Sequence, residues 1–372
     1  MVEVIQPGPE RPRLHRVIDR APSGRIAAEG YPFPADRREA LRRALQARIA
    51  GEVRFSDGDR ALYATDASNY RQVPIGVVIP RSAEDVVETV ALCRTFGAPV
   101  TPRGGGTSLA GETCNTAVVI DFSKYMHRVL SLDPQRRTAE VEPGCVLDDL
   151  RAQAMSHGLT FGPDPATHSR NSLGGMIGND SCGGHSVIAG RTADNVEWLE
   201  VLTYDGLRMR VGPTSPQEYR QILNQGGRRA EIYSSMRALW DRYGDQFSRV
   251  YPDIPRRVSG YENLDALAWD RGFNVARALV GTEAGCAIVL KAGLKLIPWP
   301  STRVEALLAF PDICAAADVV PEVLSHKPMS LEAFDHLLVD FLHRLGRDEQ
   351  QLQTLPPGGG WLMAEFGADS RD

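Results

Sequence analysis

The spacing of apolar positions changes several times along the chain, and each change marks a predicted element. From Asp36 to Ala50, Leu41, Ala44, Leu45 and Ile49 recur at helical spacing, arginines take the other face, and Gly51 is placed to end the helix. Asp57 to Tyr70 is polar and has no strong period. Gly76-Val77-Val78-Ile79-Pro80 predicts a short buried strand ended by proline. A helix is predicted from Ser82, whose hydroxyl can cap it, with Asp85 three residues on as in a capping box. Val86, Val87, Val90, Ala91 and Phe96 supply its apolar face, and Gly97 ends it. Two short apolar runs follow, Ala98 to Thr101 and Ala117 to Ile120, separated by a glycine-rich loop.

Thr138 to Glu142 alternates like a strand, Val146 to His157 reads as a helix, and Leu159 to Phe161 returns toward the core. From Gly162 to Asn195 no period is visible, and the pattern predicts a long loop with no secondary structure of its own. Val196 to Tyr204 and Leu207 to Val211 form a hairpin about Asp205-Gly206. Gly212 to Asn263 reads as polar and irregular, with one helix near Ile232 to Tyr243. A short helix, Asn274 to Leu279, leads to a long strand, Ala287 to Ile297. Beyond it come strand Val304 to Phe310, helix Asp312 to Leu324, strand Met329 to Ala333, helix Asp335 to Leu345 and strand Trp361 to Phe366. That order opens a second α+β unit, expected to be unfinished where the chain stops. The predicted fold class is α+β, with residues 1–70 as an N-terminal arm and helix, 71–299 as the main domain and 300–372 as the start of the second.

Composition narrows the function classes. The 372 residues are 42% hydrophobic and 24% charged, with a formal net charge of −5 and no Lys/Arg run, which argues against nucleic acid as a partner. No stretch of apolar residues is long enough to predict a transmembrane helix. Met1 to Gly30 is rich in Pro, Arg and Gly and lacks an apolar core, so it reads as an extended arm rather than a secretory signal. Cys93, Cys114, Cys145, Cys182, Cys286 and Cys314 form no CxxC pair, which predicts no zinc or iron–sulfur centre from this chain. They are expected to be reduced, mostly buried thiols of a cytoplasmic protein. His336 and His343 lie two helical turns apart, too far for one metal ion, so no metal site is predicted.

The candidate chemistry sits in the glycine-rich stretches. Pro102-Arg103-Gly104-Gly105-Gly106-Thr107-Ser108 sets three consecutive glycines between two strands. They are read as having no packing use and as baring backbone N–H groups toward one anion, with the Thr107 and Ser108 hydroxyls and the Arg103 cation beside them. The bland reading is a tight turn that binds nothing. Gly106 to Thr113 matches a P-loop except that Glu112 replaces the lysine, which argues against nucleotide triphosphate hydrolysis. Gly104 and Gly106 fit the dinucleotide fingerprint, but Leu109 replaces its third glycine and no amphipathic helix follows. A second run of small residues, Ser172 to Ser186, lies about seventy residues on, where backbone can approach something large and flat, and a third glycine-containing turn spans 281–285. One loop for a pyrophosphate and one for a ring and its linker suit FAD. His168 and His185 flank the second loop and are read either as hydrogen-bonded loop histidines or as substrate contacts.

These residues carry a resemblance. Pro102–Gly111, Gly162–Pro165, Gly174–His185, Gly190–Val196, Asp205-Gly206 and Arg277–Glu283 resemble the FAD-linked oxidases with a PCMH-type (vanillyl-alcohol oxidase-like) FAD-binding domain. Within them the chain is most similar to the D-lactate dehydrogenase, glycolate oxidase and D-2-hydroxyglutarate dehydrogenase branch. Arg257-Val258-Ser259-Gly260-Tyr261 resembles the subgroup that fuses this flavin half to an iron–sulfur half. The resemblance implies a PCMH-type domain of two α+β subdomains followed by the start of an α+β cap domain. It implies that Arg103, Gly104, Gly105, Gly106, Thr107 and Ser108 hold the FAD pyrophosphate. Pro163, Asp164, Gly174, Gly175, Gly178, Asn179, Ser181 and Gly183 would line the flavin or ribityl chain, Val196 would meet the adenine side, and Glu283 would lie near the ribityl or ring. Relatives with covalent flavin carry histidine where this chain has Thr107, so non-covalent FAD is expected. Asp180 stands where asparagine is usual, and Ala284-Gly285-Cys286 where Gly-Thr is usual.

The expected activity is oxidation of a D-2-hydroxy acid by hydride transfer to flavin N5. The family's substrate clamp and catalytic base lie beyond the matched positions, so no catalytic residue is assigned here. An iron–sulfur electron-transfer protein is the expected macromolecular partner. The alternatives are a non-catalytic FAD-binding subunit or remnant that needs a partner polypeptide, and a flavin reductase of another substrate class.

Overall fold

A computed structural model describes residues 33–370; the predicted arm, Met1 to Gly30, lies outside them. Helix α1 (Ala35–Arg48) buries Leu41 and Leu45. After it come β1 (Glu52–Arg54), α2 (Asp57–Leu62), β2 (Gly76–Ile79), α3 (Ala83–Thr95), β3 (Val100–Arg103) and β4 (Val118–Asp121). The four strands form one sheet in the order β1-β2-β4-β3, parallel except for β1. Every residue of β2 and β4 is buried, which explains their unbroken apolar runs. β1 precedes residue 71 yet pairs with β2, so the segment before residue 71 contributes to this layer.

Ser82 caps α3 as predicted, accepting from the Asp85 N–H at 3.3 Å. The capping box does not form. The Asp85 carboxylate accepts instead from the N–H groups of Arg81 and Ala50, both at 2.9 Å, and so ties the end of α1 to the start of α3.

The second layer carries β5 (Val129–Asp133), β6 (Thr138–Val141), α4 (Leu147–Met155), β7 (Leu159–Thr160), α5 (Leu173–Asn179), α6 (Ser186–Ala189), β8 (Val196–Leu202), β9 (Arg208–Val211), α7 (Pro216–Gln225), α8 (Gly227–Val250), α9 (Val275–Leu279), β10 (Ile288–Lys295) and β11 (Ile297–Pro298). Its main sheet runs β5-β6-β10-β8-β9, antiparallel throughout, and the largest apolar core packs on it. Two expectations are corrected. The stretch 162–195 contains helices α5 and α6 rather than none, and 212–263 holds two helices rather than one. In α7, Ser215 accepts from Glu218 N–H at 3.1 Å and Pro216 opens the first turn, a legible start signal. In α8, Ile232, Tyr233, Met236 and Trp240 give the core a narrow apolar stripe on an otherwise polar helix.

The third layer consists of β12 (Thr302–Phe310), α10 (Ile313–Ser325), β13 (Ser330–Asp335), α11 (His336–Arg344), α12 (Glu349–Leu352) and β14 (Gly360–Ala368). β14 is central and antiparallel to both neighbours, and Ala316 and Val323 of α10 pack on Leu362 and Ala364. All six cysteines are unpaired, but only Cys93, Cys114 and Cys145 are buried; Cys182 is partly covered, and Cys286 and Cys314 are exposed, so the thiols are not mostly buried.

Candidate functional site

A cleft of about 560 Å³ lies between the loop after β3, helix α5 and the turn after α9. The glycines of the first loop determine how close its walls stand. A Cβ on Gly104 would fall 1.8 Å from Ser172 Oγ, and one on Gly105 would fall 2.2 Å from the Arg170 carbonyl oxygen. The two loops therefore touch backbone to backbone, and the reading that these glycines have no packing use is overturned. Gly106 has φ +63°, a conformation that favours glycine, and the Arg103 guanidinium occupies the space its side chain would fill.

The cleft is equipped for a polar ligand. Arg103 donates from Nη2 to the Thr65 carbonyl at 2.9 Å, while its buried Nη1 has no partner. Asn171 is buried, and its Oδ1 has no partner; Glu112 Oε2 is likewise covered and unpaired. All three residues line the cleft. Such atoms are rare in folded proteins because a buried donor or acceptor left unmade costs about 1–3 kcal/mol. An orphaned guanidinium N–H beside a run of bare backbone fits an anionic group such as a pyrophosphate, and the cleft volume suits a cofactor site.

Helix α5 forms the opposite wall. Ser172 caps it, accepting from Gly175 N–H at 3.2 Å, and Leu173, Met176 and Ile177 face the core. Gly174 sits where a Cβ would meet Pro143 at 2.8–3.2 Å, which draws the helix against the segment after β6. The turn after α9 is bonded to the end of α5: Gly281 N–H donates to Ile177 O and Glu283 N–H to Gly178 O, both at 2.9 Å. Glu283 and Ala284 hold left-handed backbone at φ 49° and 58°. Burial raises the Glu283 carboxyl above its ordinary range and the nearby Glu112 charge adds to this, while a hydrogen bond with Asn179 opposes it.

Of the residues predicted for the cofactor, Arg103, Gly104, Gly105, Gly106, Thr107, Ser108, Gly174, Gly175, Gly178, Asn179, Ser181 and Glu283 line this one cleft. Pro163, Asp164, Gly183 and Val196 are not part of the lining. Pro163 is buried beside Asp164, whose Oδ1 accepts from His185 N–H at 2.8 Å. Gly183 packs on the Asp164 backbone, where a Cβ would lie 2.2 Å from its carbonyl oxygen. Val196 opens β8 and pairs with Leu294. Asn171 was missed as a lining residue, and Glu112 was read only as an obstacle to ATP; no local pattern distinguishes either.

Behind α5 lies a buried polar network that also went unforeseen. Asp180 ends the helix in left-handed backbone, which an aspartate tolerates, and turns its carboxylate inward. Its Oδ2 accepts from Arg191 Nη1 at 2.8 Å and from Asn263 Nδ2 at 3.0 Å; its Oδ1 accepts from Ala193 N–H at 2.8 Å. Arg191 also donates to Asn263 Oδ1 at 3.0 Å and to the Arg257 carbonyl. Asn263 donates to the Val280 carbonyl at 3.1 Å. An aspartate at this position thus finds its countercharge in Arg191. Glu262, 1% exposed, has its carboxyl pushed up to about 7, first by burial and then by Asp180. The network fixes the end of α5 to the turn that carries Glu283.

The flanking histidines both have partners. His168 Nδ1 meets the Asp148 carboxylate at 2.8–2.9 Å on the surface. His185 is more enclosed: Nδ1 contacts Asp164, Nε2 lies 2.7 Å from Glu365 Oε2, and Trp299 presents its ring at 4.9 Å. Among the described residues no cluster of His, Cys, Asp and Glu could hold a metal ion, and no helix is long and apolar enough to cross a membrane.

Residues 74–212 match the family model for an FAD binding domain, and this part of the chain is one. The sequence relatives are hydroxy-acid enzymes. D-2-hydroxyglutarate dehydrogenase of Pseudomonas putida is 31% identical over 301 residues, 80% of this chain and 30% of the relative. Glycolate oxidase subunit GlcD of Bacillus subtilis is 29% identical over 77% of this chain and 52% of its own length. The probable mitochondrial D-lactate dehydrogenase of Danio rerio is 26% identical over 86% of this chain and 57% of its own length. The chain thus spans between about a third and rather more than half of these relatives. A solved alkyldihydroxyacetonephosphate synthase shares the fold, with a TM-score of 0.61 over 89% of this chain and 56% of that one, at 18% identity.

Proposed function

We propose that the chain is the flavin-binding part of an FAD-dependent oxidoreductase that acts on a D-2-hydroxy acid of the lactate, glycolate or 2-hydroxyglutarate type. The cleft carries the reading: two glycine-bearing walls pressed together, lined by Arg103, whose buried Nη1 has no partner. The hydroxy-acid relatives supply the substrate class. FAD in the cleft would supply the hydride acceptor at flavin N5.

In this reading Arg103, the backbone of Gly104 to Gly106 and the hydroxyls of Thr107 and Ser108 hold the pyrophosphate. Gly174, Gly175, Gly178, Asn179 and Ser181 line the ring and ribityl chain, with Glu283 at their edge. Pro163, Asp164, Gly183 and Val196 lie outside the cleft lining and take no cofactor contact in it. Thr107, where covalent relatives have histidine, leaves the cofactor dissociable. Residues to 299 form the flavin unit and 300–372 belong to a cap. An iron–sulfur protein is the proposed electron acceptor, and the unpaired cysteines favour the cytoplasm.

The test is anaerobic bleaching of the FAD-loaded protein with a panel of D- and L-2-hydroxy acids. Bleaching by one or more D-acids is expected. FAD binding without bleaching by any of them would instead make the chain a binding subunit.

A further inference from the structure

One imidazole lies at the contact between the third layer and the flavin layer. His185 stands just before α6 with its side chain 13% exposed, and both ring nitrogens face carboxylates. Asp164, from the segment after β7, meets Nδ1, and Glu365, from the central cap strand β14, meets Nε2 at 2.7 Å. A neutral imidazole has one N–H and one lone pair, so it can donate to only one of these acceptors. The other carboxylate would then face a lone pair. Both contacts are satisfied together when the ring carries two N–H groups, as an imidazolium between two anions.

Other charged groups stand close to this contact. Arg303 of β12 donates to the other Glu365 oxygen at 2.8 Å and holds the carboxylate in place. Glu332 of β13 comes up beside Gly184, where a Cβ would lie 3.0 Å from its Oε1. Arg256 donates to the Gly183 carbonyl at 2.7 Å, and Arg151 of α4 lies within electrostatic reach of Asp164. The two carboxylates in direct contact with the ring belong to different layers.

We propose that protonated His185 is an ionic latch that holds the cap sheet against the flavin domain and releases it as the ring loses its proton. The latch does not depend on which ligand occupies the cleft. Burial works against the imidazolium, but Asp164 and Glu365 outweigh it, and the ring keeps its proton above the ordinary histidine range. A raised folded value means that the latch is fully set below about pH 6.5 and is lost as pH rises through the folded value.

The test is carried out on the full chain. Histidine ring signals followed by NMR should show one ring titrating above about 6.5, absent in His185→Gln and shifted down in Glu365→Gln. Amide exchange protection of the cap strands, corrected for intrinsic rates, should fall by about tenfold or more through that same midpoint in the wild type, the scale of one charge-assisted hydrogen bond. It should stay flat in His185→Gln. A wild-type His185 midpoint at or below 6.5 would overturn the proposal, whether or not either variant folds. So would cap protection whose pH dependence is the same in wild type and His185→Gln.

Discussion

Replacing Gly105 by alanine tests how the cleft is built. The new Cβ would lie 2.2 Å from the Arg170 carbonyl oxygen and 3.4 Å from Asn171 Cα. A backbone oxygen cannot rotate aside, so the two walls must part by about 1 Å before the contact becomes tolerable. Overpacking of this kind costs about 1–3 kcal/mol. If the closed arrangement is the one that binds FAD, the same cost weakens binding by about 5- to 150-fold. Gly97→Ala is the control: its φ of +66° strains an alanine, but a Cβ there meets nothing within 4 Å and the position is outside the cleft lining. Its strain costs about 1–2 kcal/mol without moving either wall. Each variant is titrated with FAD by flavin fluorescence and melted without it. Both should melt lower, and only Gly105→Ala should lose affinity. Equal FAD affinity in the two variants would refute the argument that contact between the glycine loop and Arg170–Asn171 sets the cleft width.

Other substitutions probe other links. Gly178→Ala would place a methyl in ordinary contact, 3.7 Å from Glu283 Cα, and remove a helix-weakening glycine worth about 0.5–1 kcal/mol. The FAD-free protein should melt no lower, while FAD affinity falls because the methyl enters the cleft. Arg191→Ala leaves the Asp180 carboxylate, 0% exposed, without its countercharge, and should lower the unfolding free energy in urea by about 3–5 kcal/mol. Glu262 holds its proton more tightly folded than unfolded, so its contribution is full below about pH 4.5 and is lost as pH rises through about 7. Between those values wild-type stability should decline relative to Glu262→Gln; parallel curves would contradict the assignment.

How much the chain disclosed depended on the range of the interactions. β2 and β4 are buried on both faces, so their apolar runs were unmistakable. The glycine loop and the 281–285 turn were legible because backbone conformation and close approach limit the residues allowed there. Helix α5 was hidden by the same effect: Gly174, Gly175 and Gly178 strip it of side chains, leaving Leu173, Met176 and Ile177 as its only apolar marks. α8 was foreseen only over Ile232 to Tyr243, and α7, which buries only Ile222, was missed although Ser215 and Pro216 mark its start. The network joining Asp180 to Asn263, and the contact of His185 with Glu365 180 positions away, are set by tertiary packing and leave no local period.

The central claim is that the walls at Arg103–Ser108 and Gly174–Ser181 enclose one dissociable FAD. The direct measurement is a titration of the purified chain with FAD, followed by denaturation and recovery of the flavin, alongside Arg103→Ala. One FAD per chain should bind, all of it should be released into solution on denaturation, and Arg103→Ala should bind more weakly with a smaller dependence on salt. Absence of any flavin spectral change on addition of FAD, or affinity and salt dependence unaltered by Arg103→Ala, would contradict it.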